Sequence, residues 1–276
     1  MNIQYVDVHT HINLAAFDDD RSVVMERTAH EGVAYINVGT EISTSKKAVE
    51  LTRTHSGVYA TVGLHPVHTS RSVHDTQEIR DASAREGEVF SGEVYRALAL
   101  HEGVVAIGEC GLDYFRVEKD TKSLQERAFI GQIELANSLN KPLMLHIRPS
   151  VGSMDAYEDA LSILKTHAKV LGNVHFFAGT YGIAKQFWDM GYTTSFTGVI
   201  TFASQYDEVI QNAPLTMLHA ETDAPYVAPK PFRGKRNEPL HVRTVYERIA
   251  TLRGEREEDV RQQLLQNARR VFSVVI

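Results

Sequence analysis

The sequence contains a single cysteine among 276 residues, so no intramolecular disulfide can stabilise the fold, and a reducing, cytoplasmic location is expected. No apolar stretch approaches the roughly 18 residues of a membrane helix, and the start of the chain lacks the regions of a signal peptide. Positive charge is scarce, because 29 Lys and Arg against 35 Asp and Glu give a net charge of −6. A broad basic face for nucleic acid is therefore not expected, and any phosphate must be bound by a few local cations or by metal ions.

Runs rich in Val, Ile, Tyr, Phe and Thr alternate with segments whose apolar residues recur near helical spacing. The predicted strands are 5–9, 33–39, 58–63, 104–109, 142–147, 173–178, 193–198 and 216–221. The predicted helices are 22–31, 46–55, 123–137, 157–167 and 183–190, followed by one that begins near Pro239 and one over 257–272. This order predicts an α/β fold in which eight parallel strands close into a (β/α)8 TIM barrel.

A single domain covering residues 1–276 is predicted, because the sequence shows neither an internal repeat nor a linker composition. The polar stretch 67–102, between the third and fourth strands, is long for one connection. We expect it to be a helical insertion over the mouth of the barrel.

Polar residues fall at the carboxyl ends of the predicted strands, where TIM-barrel active sites are built. His9 and His11 are two positions apart on a strand, so both side chains can project from one face and bind one ion. Later strands add two imidazoles and at least two carboxylates, which is more than one ion needs. We therefore predict two divalent ions, with Glu109 as the bridging carboxylate because its strand lies between the others. Mixed nitrogen and oxygen ligands indicate zinc, manganese or magnesium.

Eight motifs follow one another along the chain. They are DVHTH from Asp7, GLHP from Gly63, AIGECGLD from Ala106, LHIR from Leu145, VHFFAGT from Val174, SFTGVITF from Ser195, ETDAPYVAP from Glu221 and RGKRNEP from Arg233. In this order they resemble the motifs of the TatD family of metal-dependent deoxyribonucleases, which belongs to the amidohydrolase-like metal-dependent hydrolases. The likeness runs from Asp7 to about Phe272.

The resemblance implies an enzyme that hydrolyses phosphodiester bonds of DNA, commonly as an exonuclease that prefers single strands. It implies six metal ligands, which are His9, His11, Glu109, His146, His175 and Asp223. His65 and Arg148 match positions that face the substrate. Asp223 is positioned to take the proton of the attacking water, and Glu221 either orients a ligand histidine or takes part in catalysis. The expected partner is DNA, single-stranded or 3'-ended, with no membrane and no obligate protein partner.

Two other functions remain open at this point. The same metal pair could hydrolyse an amide or ester, including the bond between an amino acid and tRNA. Related barrels often bridge their metals with a carboxylated lysine, but this sequence has no lysine between Val104 and Arg116, which favours the phosphoesterase. A catalytically silent, metal-stabilised binding protein is the third possibility, and the retained Asp223 argues against it.

Residues outside the proposed ligand set are given simpler roles. Cys110 follows Glu109 on its strand, so we expect it to face away from the site and to pack. Asp113 is interpreted as a turn residue, and His219 is expected at the surface or a helix end. The run 233–236 is the only dense basic cluster, and it is either a solvated loop or a contact for a phosphate backbone.

Overall fold

Parallel strands form from the β-branched and aromatic runs of the sequence. The computed structural model describes residues 3–73, 76–80, 84–115 and 121–275. Within this part of the chain, eight strands form one parallel sheet. They are β1 Tyr5–Thr10, β2 Val33–Val38, β3 Val58–Val62, β6 Val104–Asp113, β7 Leu143–Arg148, β8 Gly172–Val174, β9 Thr193–Phe196 and β10 Leu218–Ala220. Neighbouring strands in the sheet follow the order β1-β2-β3-β6-β7-β8-β9-β10. A two-stranded antiparallel sheet is formed by β4 Ser72–Val73 and β5 Ala84–Arg85.

The sheet curves round until its first and last strands meet, which gives a nearly closed barrel. Just beyond β10, the N–H of Asp223 donates to the carbonyl of His9 at 2.9 Å. The N–H of His11 donates in turn to the carbonyl of Ala224 at 2.7 Å. These bonds join the carboxyl ends of β1 and β10, so the predicted TIM barrel is confirmed.

Helices connect the strands. In the described residues they are α1 Arg21–His30, α2 Ile42–Leu51, α3 Gly92–Ala99, α4 Lys122–Leu139, α5 Asp155–His167, α6 Tyr181–Asp189, α7 Asp207–Asn212, α8 Val242–Arg253 and α9 Glu257–Phe272. Local signals set several of their ends: the Thr180 hydroxyl accepts a hydrogen bond from Ile183 at the start of α6, and Gly254 adopts a left-handed conformation after α8. None of these helices combines the length and the apolar composition needed to cross a bilayer.

Apolar packing closes one end of the barrel and leaves the other end polar. Val6, Ile36 and Met144 from the strands form one buried cluster with Ala268 and Phe272 of α9. The predicted metal-ligand histidines and carboxylates lie instead towards the carboxyl ends of the strands. The barrel thus has an apolar floor and a polar mouth, which is where active sites of this fold occur.

The stretch 67–102 is only partly helical. Its helix, α3, packs between α2 and α4 in the outer ring, so it is the ordinary helix after β3. The described residues ahead of α3 form a 3-10 turn and the β4–β5 pair, while residues 74–75 and 81–83 lie outside the described part of the chain. In the described residues, the predicted helical insertion is therefore an irregular loop that precedes α3.

Candidate metal centre

The six predicted metal ligands converge at the carboxyl end of the barrel. They border or underlie a cavity of about 1180 Å³. Five of them are at most 8% exposed, and His146 is partly buried. Burying so many titratable groups without partners would be costly, so their mutual contacts explain how the fold tolerates them.

The two oxygens of Glu109 face two different groups of imidazoles. Oε2 lies 3.5 Å from Nε2 of His9 and 3.8 Å from Nε2 of His11. Oε1 lies 2.8 Å from Nε2 of His175 and 2.9 Å from Nδ1 of His146. A carboxylate placed in this way can bridge two cations.

Asp223 completes the group on the Oε2 side. Its Oδ1 lies 3.3 Å from Nε2 of His11 and 3.6 Å from Nε2 of His9, and those two nitrogens are 3.1 Å apart. Asp223 has a positive φ of 54°, a left-handed conformation that aspartate adopts more readily than most non-glycine residues. Its backbone is held there by the hydrogen bond to His9.

The far ring nitrogens of three histidines show which nitrogen faces the site. Nδ1 of His11 lies 3.0 Å from the Val38 carbonyl, to which it must donate, so its Nε2 offers a lone pair to the site. Nε2 of His146 lies 3.0 Å from Oδ2 of Asp113, which leaves Nδ1 of His146 facing Glu109. Nδ1 of His175 lies 3.6 Å from Oε1 of Glu221. Hydrogen-bond partners on the far nitrogen, as seen for His11 and His146, are typical of metal-binding histidines.

Asp113 is the residue of this centre that the sequence analysis assigned only to a turn. The turn role exists, because Oδ1 of Asp113 accepts the N–H of Phe115 at 3.0 Å. Its other oxygen contacts His146 as described above. Asp113 lies four positions after Glu109 on β6, which continues to residue 113 although the predicted strand ended at 109. Alternation along the longer strand places the two residues on one face, a signal that could have identified Asp113.

Glu221 lies beneath His175 and is fully buried, so it is not in contact with the cavity. Its Oε1 accepts the N–H of Phe176 at 2.6 Å, and its Oε2 accepts the hydroxyl of Ser195 at 2.5 Å. Of the two roles predicted for Glu221, this placement favours orientation of His175. Ser195, which the sequence analysis did not single out, fixes that carboxylate.

The electrostatic environment keeps Glu109 ionised. Burial alone would raise the pKa of its carboxyl, but the imidazole of His175, whose own pKa is raised, and the hydrogen bond with His146 hold the pKa of Glu109 well below its usual range. A charged carboxylate among imidazole lone pairs is a donor set that fits divalent cations.

His65 contributes a neutral imidazole to the rim of the site. Its Nδ1 accepts the N–H of Val67 at 3.2 Å, so Nε2 carries the proton and points towards Oε1 of Glu109 at 3.5 Å. Burial lowers the pKa of His65 to about 3. His65 is therefore a hydrogen-bond donor at the cavity wall, in keeping with its predicted place facing the substrate.

Arg148 and Cys110 have very different surroundings. Arg148 is exposed at the cavity, and its guanidinium lies 3.8 Å above the ring of Phe115. Among the described residues it has no carboxylate partner, so its charge is available at the cavity. Cys110 is fully buried in the hydrophobic core, where burial raises the pKa of its thiol, which agrees with the packing role expected for it.

Comparison with known families decides the assignment. The model of the family described as TatD related DNase matches residues 6–273. The chain belongs to the TatD family. It is 36% identical to the uncharacterized metal-dependent hydrolase YabD of Bacillus subtilis, over 97% of this chain and 98% of that protein. It is 31% identical to the 3'-5' ssDNA/RNA exonuclease TatD of Pantoea ananatis, over 98% of this chain and 99% of that protein.

The solved structures agree with the family membership. The crystal structure of YJJV, a TatD homologue from Escherichia coli, superposes with a TM-score of 0.83 at 28% identity and covers all of both chains. As a TatD-family member the protein is a metal-dependent hydrolase, and its buried His and Glu clusters provide places for the metal.

Proposed function

We propose that this TatD-family protein is a two-metal phosphodiesterase that removes nucleotides from the 3' end of single-stranded DNA. The observation that carries the proposal is the Glu109 carboxylate, whose two oxygens each face a separate pair of imidazoles. The name of the Pantoea ananatis relative, a 3'-5' ssDNA/RNA exonuclease, supports the choice of substrate and direction.

In the proposed centre, His9, His11 and Asp223 would hold one ion and His146 and His175 would hold the other, with Glu109 contributing to both. When bound, the ions supply the Lewis acidity and the lowered water pKa that hydrolysis of a phosphodiester requires. Asp223 lines the cavity and accepts the proton of the attacking water. Glu221 keeps His175 in its rotamer from below and does not touch the substrate.

Two residues of the cavity wall bind the phosphate in this proposal. The Nε2–H of His65 is a neutral donor, which suits a phosphate oxygen as negative charge develops there. The guanidinium of Arg148, stacked on Phe115 and exposed, suits a second oxygen of the same group. Both donors act without any broad basic surface, which the net charge of −6 does not provide.

The test is a product-mapped assay of metal-loaded protein on end-labelled single-stranded, duplex and 3'-blocked DNA. We expect stepwise shortening of the single strand from its 3' end, and no shortening when that end is blocked. Internal cuts on the blocked strand would contradict the exonuclease. Inactivity on every DNA, together with release of an amino acid from an aminoacyl ester, would establish the ester hydrolase instead.

A further inference from the structure

A second cavity adjoins the metal centre. It has a volume of about 590 Å³, and its wall includes Arg233, Lys235 and Arg236. Tyr226 lines both this cavity and the larger one that contains the metal centre. A chain-like substrate that leaves the centre past Tyr226 therefore enters a space lined by cations.

Asn237 joins the backbone of the second cavity to that of the metal centre. Its N–H donates to the Pro225 carbonyl at 3.0 Å, and its Nδ2 donates to the carbonyls of Thr222 at 2.9 Å and Tyr226 at 2.8 Å. Asn237 is fully buried, so these bonds are shielded from water. The segment that carries Asp223 and the basic loop are thus held at a fixed spacing.

The cations of the basic loop divide into one that is paired and two that are available. Arg236 forms a two-pronged ion pair with Asp20, at 2.8 and 2.7 Å, and so anchors the loop. Arg233 and Lys235 are exposed, and within the described residues neither has a carboxylate partner. The guanidinium of Arg233 lies 4.1 Å from the ring centre of Phe202, which limits its motion.

The backbone between the two cavities is held in an unfavourable conformation. Val227, in the wall of the second cavity, has a φ of 51°. A left-handed conformation is a genuine outlier for a β-branched residue, and such strain concentrates at ligand-binding segments. The conformation of Val227 therefore makes this wall a candidate ligand-binding segment.

We propose that Arg233 and Lys235 form a subsite for the phosphodiester next to the scissile one in a polynucleotide. This inference rests on the proposed nuclease function and deepens it. A phosphate is the ligand that fits, because a continuous substrate reaches this cavity from the phosphodiester at the metals. Two unpaired cations on a rigid loop also match one phosphate on an otherwise acidic protein.

The test uses the double variant Arg233→Gln/Lys235→Gln, called the subsite variant. Its control is Lys46→Gln/Arg127→Gln, which also removes two positive charges. Lys46 and Arg127 are exposed on α2 and α4. For hydrolysis of a short oligothymidylate, we expect the subsite variant to raise KM about tenfold with little change in kcat, since a charge-assisted contact is lost. The slope of the logarithm of the binding constant against the logarithm of the salt concentration should become shallower by about 0.7, the value for one phosphate contact on a single strand. On bis(p-nitrophenyl) phosphate, which has one phosphodiester, both double variants should match the wild type.

A neutral linkage locates the contact along the strand. Oligothymidylates carrying one methylphosphonate at successive positions should show a raised wild-type KM when the linkage next to the scissile bond is neutral. The subsite variant should show no further rise with that substrate. Two outcomes would overturn the subsite and leave the nuclease function intact. In the first, the subsite variant raises KM equally for every methylphosphonate position. In the second, the control variant raises KM as much as the subsite variant does. Failure of the wild type to cleave any oligothymidylate would overturn both.

Discussion

At the scale of single residues, the Glu109 carboxylate is the group that contacts the imidazoles on both sides of the centre. Glu109→Gln keeps the shape of the side chain but removes its charge and turns one oxygen into a donor. We expect turnover to fall by about three orders of magnitude or more and bound metal to be lost, while the barrel still folds. Turnover and elemental analysis of the metal-loaded protein measure this, with Glu134→Gln on the exposed face of α4 as the control. Near wild-type turnover with two ions bound would contradict the bridge.

Asp113 offers a more selective test of the same centre. Hydrogen bonding to His146 lowers the pKa of its carboxyl to about 2 against the effect of burial, so it is charged at neutral pH. Asp113→Asn can still accept the Phe115 N–H while it loses the charge opposite Nε2 of His146. We expect metal affinity to fall by about 10- to 100-fold, as for other partners of ligand histidines. Competition with a chromophoric chelator measures the affinity, and an unchanged value would leave Asp113 with its turn role alone.

The convergence of the candidate ligands could be predicted, but some of their supporting contacts could not. Parallel strands of one barrel end at the same edge, so histidines and carboxylates at those ends must be neighbours. His11, for example, contacts the backbone carbonyl of Val38. Because every residue has such a carbonyl, no sequence pattern identifies this contact. His219 was misassigned to the surface: it is 1% exposed, because its strand position places it inside the barrel.

At the scale of elements, strand β6 depends on two glycines that flank Glu109. Gly108 and Gly111 have φ angles of 148° and 138°, and an added Cβ would overlap the carbonyls of Met144 and His146 on the adjacent strand β7. Close approach of β6 and β7 brings Glu109 to His146, so the two glycines serve the site as well as the fold.

Gly111→Ala should therefore destabilise the barrel strongly. Both the backbone conformation and the overlap with His146 oppose a side chain, and we expect a loss of about 3–5 kcal/mol in the free energy of unfolding. Urea denaturation measures this loss. Gly92→Ala is the control, since no atom lies within 4 Å of its added Cβ, and it should change stability by at most about 1 kcal/mol. Equal effects of the two substitutions would show that β6 can adapt.

The predicted bounds of a helix or strand match the structure where a single sequence signal determines them. The apolar stripe of α9 predicted 257–272, and the structure has Glu257–Phe272. Strand β8 ends at Val174 although 173–178 was predicted, because Phe176 takes a left-handed conformation with a φ of 43° that an apolar run does not reveal. The strand β10 is likewise shorter than 216–221, since a 3-10 turn over Leu215–Met217 precedes it.

At the scale of the whole molecule, the polar interior of the barrel couples its stability to pH. His219 on β10 lies inside, with Nε2 3.1 Å from the hydroxyl of Thr193 on β9 and its ring 5.7 Å from that of Phe272 on α9. Burial, with a smaller effect of Arg270, lowers the pKa of His219 to about 3, whereas an ordinary histidine has 6.5. The imidazole therefore stays neutral in the folded barrel under conditions where the unfolded chain binds a proton.

The sign of the effect follows from this difference in bound protons. Between about pH 6.5 and pH 3 the unfolded chain binds one proton more at this position, so stability falls as pH falls, by at most about 1.4 kcal/mol per unit. Above pH 6.5 neither state is protonated and the contribution is constant. His219→Gln should flatten the dependence of the free energy of unfolding on pH within this window. Urea denaturation at pH 7 and pH 4.5 measures the slope, with chelator present throughout so that metal release does not enter it. His30→Gln, which alters an exposed imidazole at the end of α1, should keep the wild-type slope. If His219→Gln also keeps that slope, other groups of the barrel cause its acid sensitivity.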